Sequence, residues 1–219
     1  MKYRSVFDII GPVMIGPSSS HTAGAARIGR TARALFGNKP DKVTITLYGS
    51  FAKTYRGHGT DIAIVGGLLD FEPFDERIVR SLEIAKNEGV DVTFVESEEV
   101  PDHPNTAKIR MEDSSGHVME VTGISIGGGK MEIVELNGFD LKLSGSAPAL
   151  LILHKDRYGA VAQVATVLAR HQINIAYMQV SRKEKGSEAL MIIETDQTVE
   201  EPVQKELSDL DGIHGVTVL

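Results

Sequence analysis

Apolar residues recur at helical spacing at Ala25, Ile28, Gly29, Ala32, Leu35 and Phe36, which predicts an amphipathic helix with one buried face. One of Ser18, Ser19 and Ser20 is its expected N-cap, and Gly37-Asn38-Lys39-Pro40 ends it. Val43–Tyr48 alternates as a strand. Thr60–Leu69 reads as helix despite Gly66-Gly67, and Asp75–Asn87 reads as a helix turning Ile78, Val79, Leu82 and Ala85 inward. Strands are expected at Val90–Val95, Thr106–Met111 and Val118–Ile126. After Gly127-Gly128-Gly129, two more flank an Asn137-Gly138 hairpin turn. This mixture predicts an α+β domain.

The pattern breaks at Ser144-Gly145-Ser146-Ala147-Pro148, small residues and a proline between two strand-like runs. We place a first domain over residues 1–145 and a second over 148–219. The second reads as a strand at Ala149–His154, a turn at Asp156-Arg157-Tyr158-Gly159, and a helix carrying Val161, Val164, Ala165 and Leu168. Strands Ile173–Ser181 and Glu188–Thr195 follow, then a helix over Val199–Leu210 and a closing strand. That order, βαββαβ, is ferredoxin-like.

Composition narrows the functional classes. With 219 residues, 42% hydrophobic and 24% charged, the chain has the makeup of a soluble globular protein. No apolar run reaches the roughly 18 residues of a membrane span. The start of the chain shows no secretory leader, which makes a cytoplasmic location the expectation. A net charge of −7 disfavours nucleic acid as a partner, and the absence of Trp disfavours a base-stacking surface. There is no cysteine, so the chain alone can supply no disulfide, no thiolate nucleophile and no cysteine ligand to an iron–sulfur cluster.

Four motifs of the first domain carry possible chemistry. Gly16-Pro17-Ser18-Ser19-Ser20-His21-Thr22 sets three hydroxyls and an imidazole at a helix start, where free N–H groups and the dipole favour an anion such as a carboxylate or phosphate. The plainer reading is an over-provided N-cap. Tyr55-Arg56-Gly57-His58-Gly59-Thr60-Asp61 presents His58 between glycines, as a general base or as an exposed histidine on a tight turn, with Thr60 and Asp61 able to cap the next helix. His103-Pro104-Asn105-Thr106 is a stiff loop whose Asn105 can read polar groups, or a turn entering a strand. Ser125-Ile126-Gly127-Gly128-Gly129 lets backbone amides approach an anion, or simply bends between strands; it is neither a P-loop nor a dinucleotide fingerprint. Arg27, Arg30 and Arg33 read as a solvated helix face. His21, His58 and His103 include no compact metal-ligand pair, so no metal site is assigned to this chain.

In the second domain, the Asp156–Gly159 loop after the first strand and Asn174-Ile175 before the second resemble an ACT domain, a regulatory module that often binds amino acids between paired domains. The loop amides at a helix N-terminus suit a carboxylate, and Asn174 offers a donor and an acceptor. The implied effector residues are Asp156, Gly159, Ala160, Asn174 and Ile175, with an amino acid or a monovalent ion as effector. The four motifs of the first domain, in this order, resemble the beta chain of the iron–sulfur-dependent L-serine dehydratases, and the ACT-like segment behind them resembles the two-subunit branch. That first domain is similar to the allosteric substrate-binding domain of certain D-3-phosphoglycerate dehydrogenases.

The resemblance implies conversion of L-serine to pyruvate and ammonia on a 4Fe-4S cluster whose cysteines belong to a separate alpha chain. It implies His58 and His21 as catalytic residues, and Ser18, Ser19, Ser20, Thr22, Gly59, Thr60, Asn105 and Gly128 as substrate-binding residues. A homodimer is expected as well. The competing reading is a purely regulatory amino-acid-binding protein with two sensor domains.

Overall fold

The computed structural model describes residues 13–219. The reading of a missing leader rests on residues 1–12, which lie outside the described residues. The chain divides into two compact units between Ile133 and Val134.

The first unit is mixed α/β. A π-turn over Ser19–Ala23 runs into α1, Gly24–Phe36, and β1 follows at Lys42–Tyr48. Then come α2, Gly49–His58, and α3, Thr60–Leu68. A 3₁₀ turn, Glu76–Arg80, leads into α4, Ser81–Asn87. The strands β2 (Asp91–Glu96), β3 (Asn105–Glu112), β4 (Val118–Gly127), β5 (Lys130–Leu136) and β6 (Phe139–Leu143) complete a sheet of order β2-β1-β3-β4-β5-β6, the unit division falling within β5. β1 pairs with β2 in parallel, whereas β3 runs antiparallel to both β1 and β4.

Buried and half-buried positions alternate along β1, so Val43, Ile45 and Leu47 line one face beneath the helices. The apolar stripe of α1 is buried as its spacing predicts. The close crossing of α1 and α3 depends on two glycines: a Cβ on Gly29 would lie 2.1 Å from the Ile64 carbonyl oxygen, and one on Gly67 2.0 Å from that of Ala26.

Two expectations are corrected here. The stretch from Gly49 to His58 is helix rather than loop, because Phe51, Ala52 and Tyr55 give it a buried face. The expected helix over Asp75–Asn87 is two pieces, broken where Arg80 leaves helical geometry. Ile78 and Ala85 point inward, but Val79 and Leu82 are exposed, since the tighter first turn rotates the face out of register.

The second unit carries β7 (Ala149–Lys155), α5 (Ala160–Arg170), β8 (Ile175–Arg182), β9 (Glu188–Thr195), α6 (Glu201–Ser208) and β10 (Ile213–Val218). Its sheet order, β10-β7-β9-β8, is the ferredoxin-like βαββαβ arrangement. Leu150, Ile152, Met191 and Ile193 meet Val164, Val167, Leu168, Val203 and Leu207 in its core. The Asn137-Gly138 turn has both residues at positive φ, 48° and 78°, as a two-residue hairpin requires.

Candidate active site

The site forms where the π-turn meets the start of α2. Ser18 is the N-cap: it has extended backbone, its Oγ accepts from the His21 N–H at 3.2 Å, and its carbonyl accepts from the Thr22 N–H at 2.8 Å. The wide turn closes by a bond from the Gly24 N–H to the Ser19 carbonyl, and such π-turns mark functional positions in many helices. Across from it, β1 ends and Gly49, at φ +56°, turns the chain into α2 against the start of β3. The Ser50 N–H donates to the Pro104 carbonyl at 2.6 Å, and Gly49 bridges Asn105. This brings the Ser-rich motif, the His-Pro-Asn motif and Ser50 together.

A chain of side-chain hydrogen bonds results. Ser18 Oγ and Ser20 Oγ are 3.3 Å apart, and Ser20 Oγ lies 3.1 Å from His21 Nδ1. His21 Nε2 lies 3.1 Å from Ser50 Oγ. The imidazole is therefore held at both nitrogens. The edge of Phe51 meets the His21 ring at a centroid separation of 5.2 Å, and the His58 ring meets it edge-on at 4.9 Å. Burial, and then the charge of His58, hold the His21 pKa below its ordinary value, so His21 is neutral at neutral pH. A neutral imidazole offers one N–H and one lone pair, so one hydroxyl donates to the ring while the other accepts from it.

His58 closes α2 rather than sitting on a free loop. Gly59, at φ +69°, provides the left-handed cap, and the Thr22 hydroxyl donates to the His58 carbonyl at 3.3 Å. These contacts fix the backbone of His58 beside the turn, and its side chain is exposed. Thr60 and Asp61 do not cap α3 as expected. Gly59 takes the N-cap position, the Asp61 carboxylate accepts only from the Ile62 N–H, and Thr60 is buried with no partner for its hydroxyl among the described residues.

Asn105 opens β3, and its amide donates to the Ser125 carbonyl at 3.5 Å. The Ser125 hydroxyl is fully buried beneath the π-turn: a Cβ on Gly24 would stand 2.1 Å from it. Gly128 is exposed in the turn between β4 and β5, and Arg27 anchors that turn through the Gly129 carbonyl at 2.8 Å. The arginine row is thus only partly a solvated face, since Arg30 also pairs with Asp70 and Glu72. Ser19 lies within the π-turn. Ser50 and Phe51 were not singled out from the sequence, and Ser125 entered only as the first residue of the glycine motif. The Gly-Ser pair directly after a strand was the available signal for Ser50, because such pairs turn the chain into helix starts.

The five residues of the ACT-like prediction do not gather into one place. The Asp156 carboxylate accepts from the Gly186 N–H at 2.9 Å and from Arg182 at 3.0 Å, which hold its pKa below the usual carboxylate value. Gly159, at φ +82°, and Ala160 start α5 beside it. Asn174 instead donates to Asp196 at 2.6 Å, with Ile175 opening β8. The Asp156 N–H bonds Ser187 at one end of β9, and the Asp196 N–H bonds Asn174 at the other. Eight strand residues, about 25 Å at ~3.3 Å each, lie between these ends.

Comparison with known proteins identifies the lineage. The chain is 60% identical over 99% of its length, and 98% of the relative's, to the probable L-serine dehydratase, beta chain, of Bacillus subtilis (strain 168). It belongs to the serine dehydratase beta chain family. The serine dehydratase beta chain model matches residues 5–82 and the ACT domain model residues 149–212. The L-serine dehydratase, beta chain, of Peptoniphilus asaccharolyticus is 37% identical over 91% of this chain and 90% of its own length. The D-3-phosphoglycerate dehydrogenase of Bacillus subtilis is 29% identical over 89% of this chain but only 37% of its own length. The serine dehydratase beta chain match covers the Ser-rich turn, Ser50 and both imidazoles.

A thiolate-bound cluster does not fit the donors of this serine dehydratase beta chain. It has no cysteine, and no three His, Asp or Glu side chains converge among the described residues. What the site offers is hydroxyl donors, a helix start and two imidazoles.

Proposed function

We propose that this chain is the beta subunit of a two-chain L-serine dehydratase that yields pyruvate and ammonia, with a 4Fe-4S cluster held by the cysteines of an alpha chain. The observation that carries the reading is the pair of edge-on imidazoles at the Ser-rich helix start. A neutral His21 fixed at both nitrogens beside an exposed His58 makes an acid–base pair next to an anion cradle.

In this reading Ser18, Ser19, Ser20 and the first amides of the turn hold the serine carboxylate. Thr22 secures the His58 backbone, Gly59 and Thr60 shape the wall beneath it, and Asn105 and Gly128 border the pocket. His58 takes the α-proton, the C–H electron pair forms the Cα–Cβ double bond of aminoacrylate, and the β-hydroxyl leaves as hydroxide, which the proton held by His58 converts to water. The resulting aminoacrylate tautomerises and hydrolyses to pyruvate and ammonia.

Anaerobic purification of the chain from its native cells, followed by a pyruvate assay with L-serine, tests this. The expected result is a cysteine-containing partner carrying iron and sulfide, turnover in the complex, and loss of about 10²–10⁴-fold in kcat for His58→Ala at unchanged iron content. A chain that comes out alone, without iron, and binds L-serine tightly through His21 would establish the regulatory reading in its place.

The separation of Asp156 and Asn174 supports a second element of the proposal. One effector site built from both requires two copies, with the Asp156 loop of one chain facing Asn174 of the other in an isologous homodimer. The effector is an amino acid or a monovalent ion.

A further inference from the structure

Ser50 lies outside the Ser-rich motif, yet its hydroxyl is the only hydrogen-bond partner of His21 Nε2 among the described residues. Its place is set by the backbone, through the Ser50 N–H on the Pro104 carbonyl at 2.6 Å and the Thr54 hydroxyl on the Ser50 carbonyl at 2.8 Å. Counting donors and acceptors admits two senses for the protons of the chain, and in the first they run from Ser18 towards Ser50. Ser18 Oγ already accepts the His21 backbone N–H, so its own proton is free to go to Ser20. Ser20 then gives its proton to Nδ1. That leaves Nε2 as the N–H, donating to Ser50 Oγ. In this sense Ser18 and Ser20 each accept one bond and give one, and Ser50 accepts from the ring while its own proton is left for a bound ligand. In the reverse sense Ser18 accepts twice and the Ser18 proton is the free one instead; both senses satisfy the chain, and both need Ser50 at Nε2.

We propose that Ser50 is a positioning residue of the site: it holds the His21 ring in one orientation by engaging Nε2 while Ser20 engages Nδ1. The inference deepens the proposed dehydratase reading and rests on it for its consequence in turnover. A ring held at one nitrogen only can rotate about its χ2 and exchange tautomers, and misplacement of such a group by about 1 Å costs on the order of 10²-fold in rate.

Two measurements test it. The first is ¹⁵N NMR of the His21 ring in the full chain, assigned with His21→Gln, which needs neither partner nor cluster. Above pH 7, Ser50→Ala is expected to move the Nε2 shift away from its wild-type value by more than the Nδ1 shift, and Ser50→Thr to restore the wild-type pair of shifts. The second is steady-state turnover in the assembled enzyme, where Ser50→Ala is expected to lower kcat about 10–10²-fold while KM changes less than threefold. A Ser50→Ala ring with wild-type shifts at both nitrogens overturns the proposal. If wild-type assembled enzyme turns over no serine, the dehydratase reading fails while the NMR result still decides the role of Ser50.

Discussion

The neutrality of His21 has a cost that pH exposes. Its folded pKa lies below the unfolded value of about 6.5, so between the two the unfolded chain binds more protons. Folding stability is therefore expected to fall as pH drops through that window, and to lose no more below the folded pKa. Denaturant midpoints at pH 7.5 and 5.5 should separate further in wild type than in His21→Gln, and equal separations would refute this. Removing the neighbouring charge, in His58→Ala, should raise the His21 pKa while burial keeps it below the ordinary value; NMR titration reads both. The cap and the anion-favouring helix start were legible in the Ser-Ser-Ser-His run, because such contacts are local in sequence. Ser50 was not, because its bond to His21 spans 29 positions and exists only once β1 has delivered Gly49 beside Asn105.

Elements show the same division between local and tertiary signals. The stripe of α1 was legible because six apolar positions repeat over three turns. The helix α2 was hidden, since only Phe51, Ala52 and Tyr55 mark its buried face while Gly49, Gly57 and Gly59 argue for a loop. The α1–α3 crossing is a tertiary demand that the sequence expressed only as Gly66-Gly67, which reads as helix weakness. Gly67→Ala would drive a methyl group into the Ala26 carbonyl and the Arg30 N–H, so the helices must separate. An overpacking cost of about 1–3 kcal/mol is expected. Gly57→Ala has open space around its new methyl and ordinary backbone, so it should be neutral or stabilise by up to about 1 kcal/mol. Thermal denaturation of the two variants beside wild type decides the point; a Gly67→Ala midpoint equal to wild type would show that the crossing is not held by the missing side chain.

For the whole molecule, the order βαββαβ was legible from periodicity and turns, but strand order and the distance between loops were not. Asp156 and Asn174 are eighteen positions apart in sequence, so one chain looked able to bring them together, yet β9 holds them at its opposite ends. The two-copy effector site therefore makes a prediction that a one-chain site does not. Asp156→Asn and Asn174→Ala should each abolish effector binding, measured by calorimetry with L-serine as the probe and the His21→Gln background removing the first-domain site. Unfolding and refolding an equal mixture should restore binding in part. Half of randomly formed dimers are mixed, and each mixed dimer keeps one intact site of two, so about a quarter of the wild-type sites should return. In a one-chain site every chain of the mixture carries a defect, and no binding returns. A monomer by light scattering at the calorimetry concentration, with binding intact, would equally rule out assembly of the site from two copies.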